Sequence, residues 1–221
     1  MTVVNEICEL LQVHANRDKV VSLTCYALKL CGSSGNRPSL MKASAGLAST
    51  RATLRLYDDA AVLKAVYSYG LGKQDGPFWG TLGVSNGLFT LAYLQAEKLM
   101  WLADTGCLSL DEKTVYRVKV AHKLFWSLYT FVGLIRSLRA LHIAAQNLNQ
   151  AKRTKCAPRR FQYATLTTTK LLLDFIHAVT WLPRGWLWGG AVRTSHAAAL
   201  ATAAAALGIV LHFEGKKLQQ R

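Results

Sequence analysis

The chain has 221 residues, of which 51% are hydrophobic and only 18% are charged, yet its formal net charge is +15. Soluble domains carry roughly 25% charged residues, so this composition argues against an ordinary soluble domain. A basic and apolar chain fits an anionic membrane surface better than nucleic acid, because nucleic-acid readers more often carry their basic residues on a polar body. The composition therefore predicts a membrane protein without a nucleic-acid partner.

The cysteines follow neither a disulfide pattern nor a zinc pattern. Their number, five, is odd and no C-x-x-C occurs, which favours a reducing compartment. The first residues lack the positive start and apolar core of a secretory signal, and the last residues are not a Ser-Lys-Leu peroxisomal address. We therefore expect any targeting to an organelle to depend on an internal membrane signal.

Residues 17–31 are predicted to form an amphipathic helix, with Asn16 as its N-cap and Gly32 as its stop. The broad apolar face consists of Val20, Val21, Thr24, Ala27, Leu28 and Cys31, and the narrow polar face consists of Asp18, Ser22 and Lys29. Such a helix is either the core side of an ordinary helical protein or a helix lying in the bilayer interface. The residues alone leave both interpretations open.

A second helix is predicted over residues 39–69. Within it Arg51, Arg55, Asp58 and Asp59 follow one another at spacings of three and four. Residues at these spacings are neighbours on a helix, so we expect structural ion pairs among them. The two adjacent carboxylates are therefore interpreted as structural, and not as an acid–base or metal site. Glycines are expected to end this helix.

Three later segments are candidates for membrane helices. Residues 77–96 contain no charged residue, but glycines and polar side chains dilute their apolar content. Residues 124–143 reach the length of a span only if Arg136 and Arg139 snorkel to one face. Residues 194–213 also lack Lys, Arg, Asp and Glu and have basic flanks, which predicts a transmembrane helix. Alanines at spacing four in this last run would let another helix approach closely.

Charge and proline content divide the chain into three parts. Residues 1–150 are predicted to form an amino-terminal helical region and residues 165–221 a carboxy-terminal one. Residues 151–164, between them, contain Pro158 and five basic side chains, which is typical of a linker. Docking of acidic headgroups or of a membrane-protein import receptor remains an alternative role for this cluster.

Three tryptophans, Trp181, Trp186 and Trp188, crowd around Pro183 and Arg184 shortly before the last apolar run. Indole rings combine an apolar body with one N–H donor, so they collect where hydrocarbon meets water. The tryptophans are therefore predicted to be membrane-edge aromatics, with Arg184 reaching the lipid headgroups.

No motif in the sequence points to catalysis. The chain contains no G-x-G-x-x-G, Walker loop, G-x-S-x-G or H-E-x-x-H, and its six histidines lack convincing ligand spacing. His177 lies three residues after Asp174, which favours a structural hydrogen-bonded pair. We therefore expect a protein that is not an enzyme and that holds neither a cofactor nor a metal.

Five short strings occur in order along nearly the whole chain. They are R-D-K-V from Arg17, leading into C-Y from Cys25; L-R-L-Y-D-D from Leu54; Y-G-L-G from Tyr69; Trp101 with A-D from Ala103; and W-L-P-R-G from Trp181, with L-W from Leu187. Together they resemble the peroxisomal membrane protein 11 (peroxin-11) family, and within it the gamma type. The last string is the most specific of the five.

The resemblance implies an all-α integral protein of the peroxisomal membrane with an amino-terminal amphipathic helix region, one to three membrane-embedded helices and cytosolic termini. It implies a non-enzymatic role in peroxisome proliferation, through membrane curvature, elongation and fission. The implied partners are copies of the chain or its family paralogues, fission adaptors and a dynamin-related GTPase. Anionic phospholipids and an import receptor for peroxisomal membrane proteins are expected as partners from the basic charge of the chain.

On this interpretation helix 17–31 inserts into one leaflet and spreads the headgroups, which favours positive curvature. The inserted residues would be Val20, Val21, Thr24, Leu28 and Cys31, with Arg17, Lys19 and Lys29 near the phosphates. One alternative is a small channel or metabolite pore lined by Asn86, Arg136 and Asp174. Another is a soluble basic protein that binds nucleic acid or acidic partners and that high salt would release from membranes.

Overall fold

The computed structural model describes residues 3–149 and 156–219, and the regular structure in these ranges is helical, which confirms the all-α prediction for them. The helices are α1 (Val3–Gln12), α2 (His14–Ser34), α3 (Pro38–Leu54), α4 (Asp58–Tyr69), α5 (Pro77–Asp104), α6 (Glu112–Asn149), α7 (Ala157–Thr180) and α8 (Thr194–Gln219). Short 3-10 turns, Arg55–Tyr57 and Lys73–Asp75, precede α4 and α5.

The long helices α5, α6, α7 and α8 pack side by side in chain order, and α2 packs against α8. Helix α3 lies against α2, whereas α4 lies against α5. Four alanines of α8, Ala197, Ala198, Ala201 and Ala204, are at most 2% exposed. Small side chains let helices approach closely, so these alanines allow α8 to fit between α2 and α7.

Helix α2 extends beyond the predicted range 17–31 at both ends. Asn16, predicted as the N-cap, lies inside the helix, where its Oδ1 accepts a hydrogen bond from Lys19 Nζ at 3.0 Å. Gly32 does not stop the helix, which continues for two more residues. A Cβ on Gly32 would lie 3.0 Å from Met41 Cγ, so the absence of a side chain serves the close packing of α2 against α3.

The single helix predicted over residues 39–69 is wrong, because the chain turns at Arg55–Tyr57. This turn lets α3 pack on α2 while α4 packs on α5. Glycines end α4 as predicted: Gly70 and Gly72 have φ angles of +57° and +64°. L residues with side chains rarely adopt this conformation, which glycine enters at no steric cost.

A glycine on α5 makes room for the end of α4. A Cβ added to Gly83 would lie 2.2 Å from the hydroxyl oxygen of Tyr69. The tyrosine is held from two sides, because its hydroxyl donates to Asp75 Oδ2 at 2.6 Å and Arg136 lies over its ring at 5.2 Å. The glycines that dilute the apolar content of residues 77–96 thus have a role in helix packing.

Alanine substitutions at two helical glycines are expected to change stability in opposite directions. Gly83→Ala collides with Tyr69 and should lower the free energy of unfolding by about 1–3 kcal/mol. Gly46→Ala on α3 meets nothing within 4 Å and should raise it by about 0.5–1 kcal/mol, because alanine has the higher helix propensity. Thermal unfolding of both variants in one detergent measures the difference. Shifts of the same sign would contradict the tight fit at Gly83.

The basic linker predicted over residues 151–164 overlaps a helix. Helix α7 begins at Ala157, so residues 157–164 are helical, and Pro158 occupies a position in the first turn that needs no N–H donor. The basic residues of the cluster between 152 and 155 lie outside the described residues. Helix α7 packs on α6 and α2 packs on α8, so helix contacts cross the boundary between the two predicted regions.

Helix α8 is the one helix, among residues 3–149 and 156–219, that is long and apolar enough to cross a membrane. The candidate span, Thr194–Leu218, has 25 residues and a mean hydropathy of 1.7. At 1.5 Å per residue this is about 37 Å, enough for a hydrocarbon core of about 30 Å. The span agrees with the run predicted over 194–213, whereas residues 77–96 and 124–143 form parts of α5 and α6 that do not meet these criteria.

Candidate membrane interface

One side of α2 is left largely uncovered by the other helices. Of the five residues predicted to insert into lipid, Thr24 and Cys31 are exposed, and Val20, Val21 and Leu28 are half-buried. The helices that pack on α2 reach it from its other sides, where Cys25 is only 3% exposed. The uncovered side is therefore in a position to meet lipid, and its insertion stays a prediction.

The polar side of α2 is turned into the protein. Asp18 accepts two hydrogen bonds from Arg51 of α3, from Nε at 2.8 Å and from Nη2 at 3.0 Å. Burial raises the pKa of the Asp18 carboxyl, but the Arg51 contacts outweigh it and hold the pKa below its usual value. Ser44 Oγ donates to the carbonyl oxygen of Cys25 at 2.9 Å. Asp18 and Ser22 thus lie towards the protein, whereas Arg17, Thr24 and Cys31 of the same helix are exposed.

The four basic residues predicted to contact headgroups fall into two groups. Arg17 and Arg184 are exposed, as that role requires. Lys29 is half-buried, with its Nζ 4.1 Å from the centre of the Trp181 ring, which is a cation–π contact. Lys19 is half-buried too and donates to a buried asparagine of its own helix. The headgroup role of Lys19 and Lys29 stays a prediction, which these side-chain contacts do not favour.

The ion pairs predicted within residues 39–69 are formed with other helices instead. The pairs are Arg51 with Asp18, Arg55 with Glu97, Asp58 with His14, and Asp59 with Lys98. The turn at Arg55–Tyr57 interrupts the helix, so the arginines and aspartates no longer share one helical face. The structural role predicted for these four residues is retained, but they tie α3 and α4 to α2 and α5.

A buried carboxylate on α5 escaped the sequence analysis. Glu97 is 9% exposed and accepts a hydrogen bond from Arg55 Nη2 at 2.5 Å. The Tyr93 hydroxyl lies 3.4 Å from the same carboxylate oxygen and His122 Nε2 lies 3.8 Å from it. A carboxylate directly after the charge-free run 77–96 was the available signal, but two of its partners, Arg55 and His122, come from distant parts of the chain.

The tryptophan-rich segment forms the connection between α7 and α8. Trp181 Nε1 donates to His177 Nε2 at 3.3 Å, and Trp188 Nε1 donates to the carbonyl oxygen of Ile176 at 3.1 Å. These two half-buried indoles hold the connection against α7. Trp186, by contrast, is 47% exposed. The membrane-edge position of the three rings stays a prediction, for which Trp186 has the most suitable exposure.

His177 lies at a junction of α2, α6 and α7. It is 2% exposed, and its ring centre lies 5.5 Å from that of Tyr26 and 5.3 Å from that of Trp126. Burial, assisted by the charge of Lys29, lowers the pKa of His177 to about 4. The imidazole is therefore neutral at pH 7, as its acceptor role towards Trp181 requires.

Stability is expected to fall as the pH drops below neutrality. Unfolded His177 takes up a proton near pH 6.5, whereas the folded protein does so only near pH 4. Between these values the unfolded state binds more protons, so the free energy of unfolding should decrease by about 2 kcal/mol from pH 7 to pH 5 through this residue. Denaturant unfolding at both pH values measures the loss. His177→Gln should remove this part of it, and an equally steep loss in that variant would contradict the assignment.

The three groups predicted to line a pore do not line one cavity. Asn86 and Arg136 line a groove of about 410 Å³ beside α4 and α5, and Asp174 is not among its lining residues. Asp174 pairs instead with Lys170 on α7 at 2.5 Å. The hydrogen bond predicted between Asp174 and His177 is not among the contacts of either residue. This arrangement does not favour the pore.

Clusters suited to metal binding are not found in the part of the chain that the structure describes. No group of three or more His, Cys, Asp or Glu side chains there could hold a metal ion. The cysteines are free thiols, of which Cys25 is buried and Cys8, Cys31 and Cys107 are exposed.

Comparison with known proteins establishes the family. The family model for Peroxisomal biogenesis factor 11 (PEX11) matches residues 4–211. The chain is 29% identical over 210 residues to proteins named Peroxisomal membrane protein 11C from Mus musculus and from Homo sapiens, covering 86% of this chain and 86% of each relative. No solved structure matches the chain. The resemblance seen in the five sequence strings is thereby confirmed, and the chain belongs to the Peroxisomal biogenesis factor 11 family, a family of biogenesis factors and not of enzymes.

Proposed function

We propose that this chain is a non-enzymatic integral protein of the peroxisomal membrane that promotes peroxisome proliferation by curving and elongating the membrane before fission. Membership of the Peroxisomal biogenesis factor 11 family supports the organelle and the general role. Helix α8 supplies a candidate membrane anchor. The observation that carries the mechanism is the uncovered side of α2, opposite Asp18, which is bound to Arg51 of α3.

Membrane bending follows from the shape and chemistry of α2. Its uncovered side carries Val20, Thr24, Leu28 and Cys31, and the exposed Arg17 lies on the same helix. A helix inserted to the depth of the headgroup–acyl boundary expands one leaflet relative to the other, which favours positive curvature. In this structure α2 packs on α8, so lying flat at the headgroup level would require α2 to leave the side of the spanning helix.

The orientation of the chain is part of the proposal. The uncovered side of α2 must face the cytosolic leaflet in order to bend the membrane outward, which places the amino terminus in the cytosol. A cytosolic carboxy terminus, which the resemblance implies, requires a second crossing besides α8. We propose the charge-free residues 77–96 of α5 for it, although α5 does not meet the length and hydropathy criteria that α8 meets. Protease protection of tags at each end of the chain in intact peroxisomes tests both placements.

The partners proposed for this activity follow from the same picture. Anionic phospholipids would attract a chain with a net charge of +15. Self-association, or association with family paralogues, would bring several inserted α2 helices to one patch of membrane. Fission adaptors and a dynamin-related GTPase would then act on the elongated membrane, and an import receptor for peroxisomal membrane proteins would deliver the chain.

Expression of the tagged chain in cells with fluorescently marked peroxisomes tests the proposed function. We expect overlap with the marker, resistance of the protein to alkaline carbonate extraction, and longer or more numerous peroxisomes. An unrelated peroxisomal membrane protein, expressed at the same level, serves as the control. A soluble or nuclear pool, or peroxisomes of unchanged number and length, would overturn the proposal.

A further inference from the structure

A groove of about 360 Å³ separates the first half of α6 from the connection between α7 and α8. Its apolar part is formed by Val120, Ala121, Leu124 and Pro183, and Tyr116, Arg117 and Trp186 complete it. The size is within the range of small-molecule sites. The lining residues thus form an apolar floor with two aromatic rings and one cation beside it.

Arg117 has no ion-pair partner among residues 3–149 and 156–219, and its side chain is exposed. The surrounding sequence is strongly basic, since residues 113–173 contain twelve Lys or Arg and no Asp or Glu. The carboxylate of Asp111, just before α6, is engaged with the backbone N–H of Thr114 at 3.1 Å. The groove therefore has a positive charge that attracts an anion and that the protein itself does not neutralise.

The groove also lies at the end of α8 where the candidate span begins. Only a few residues separate Trp186 from Thr194, the first residue of the span. Next to Trp186, Leu187 is 72% exposed and has a φ angle of +52°, an unusual conformation for a residue with a side chain. Exposed Trp and Leu side chains beside the start of a span are suited to the headgroup level of a bilayer.

We propose that this groove binds one anionic glycerophospholipid, with the phosphate at Arg117 and an acyl chain along Val120, Leu124 and Pro183. A guanidinium binds phosphate through two parallel hydrogen bonds, and the apolar floor removes the chain from water. Trp186 and Tyr116 flank the glycerol region. The proposal rests on the membrane location proposed above, and it adds a specific lipid site formed by residues other than those of α2 that are proposed to insert.

Photolabelling of the full-length chain in neutral detergent tests the site. Phosphatidic acid and phosphatidylcholine, each with the same diazirine-bearing acyl chain, are the probes, and labelled residues are located by mass spectrometry. We expect phosphatidic acid to label residues 116–124 and 183–186. Arg117→Gln should reduce this labelling by about tenfold, because a charge-assisted contact is lost. Arg117→Lys should retain part of it.

Lys119→Gln is the matched control, because it removes the same charge from an exposed position of α6 that does not line the groove. Its labelling should equal that of the unsubstituted chain. Equal labelling by both lipids, or an equal loss in the Arg117 and Lys119 variants, would overturn the proposal in favour of non-specific membrane contact. Displacement by glycerol phosphate at the concentration of the lipid would identify a soluble phosphate as the ligand.

A second copy of the chain is the remaining alternative occupant. A lipid-free dimer that Arg117→Gln converts to a monomer would assign the groove to that copy and overturn the lipid site. Failure of this proposal is distinguishable from failure of the proposed function. If peroxisomes elongate but the groove is not labelled, only the proposed lipid site is wrong. If the groove is labelled but peroxisomes do not elongate, only the proposed membrane remodelling is wrong.

Discussion

Cells that overexpress the Thr24→Asp, Cys31→Asp variant are expected to keep short peroxisomes, whereas the unsubstituted chain elongates them. Both residues are exposed on the uncovered side of α2, so the substitutions leave the helix packing intact. A carboxylate in hydrocarbon costs up to about 3 kcal/mol on insertion scales, and two of them keep this side of α2 out of the leaflet. Peroxisome length measured by fluorescence microscopy reports the effect.

The matched control is Thr105→Asp, Cys107→Asp, which places the same two substitutions at exposed positions of the connection between α5 and α6. It should elongate peroxisomes as the unsubstituted chain does. Both variants should resist carbonate extraction, because α8 is unchanged. If the α2 variant elongates peroxisomes as strongly as its control, insertion of α2 is not what bends the membrane. The family assignment would be unaffected.

Glu97→Gln is expected to lower the free energy of unfolding by about 3–5 kcal/mol. The substitution preserves shape but leaves Arg55 without its carboxylate, and both side chains are at most 20% exposed. A charge that is buried and unpaired is costly, because it loses water without gaining a counter-charge. Denaturant unfolding in detergent, followed by the circular dichroism of the helices, measures the loss.

The comparison for this loss is Glu214→Gln at the end of α8. Glu214 pairs with Lys217, whose side chain is 55% exposed, so the change should stay within about 1 kcal/mol. The double variant Arg55→Met, Glu97→Leu should be less destabilised than the sum of its single variants, since no buried charge is left alone. Strict additivity would contradict a direct pair.

Membership of the family and the all-helical class could be predicted from the sequence, because both depend on local patterns. The spacing of apolar residues predicted a helix over 17–31, and the absence of charge predicted the span over 194–213. Which side of α2 faces outward did not follow from its residues, which left both a core-facing and a lipid-facing apolar side open. The five ordered strings added the family.

The local pattern failed where the backbone changes direction. Arg51, Arg55, Asp58 and Asp59 have helical spacing, yet a 3-10 turn separates the arginines from the aspartates. Gly32 has the residue type of a helix stop, but it is used for close packing against α3. Spacing along the chain predicts which residues are neighbours only while one helix continues. Neither the ion-pair partners nor the packing role of Gly32 could therefore be derived from it.

The sequence by itself determined the all-helical class, the approximate position of α2 and the candidate anchor in α8. Only the tertiary structure decided the partners: Arg55 with Glu97, Lys29 over Trp181, and Arg117 beside Trp186. The physical reason is range. Helix formation and burial of an apolar side depend on residues three or four apart, whereas an ion pair, a cation–π contact or a groove depends on how distant helices are arranged in space.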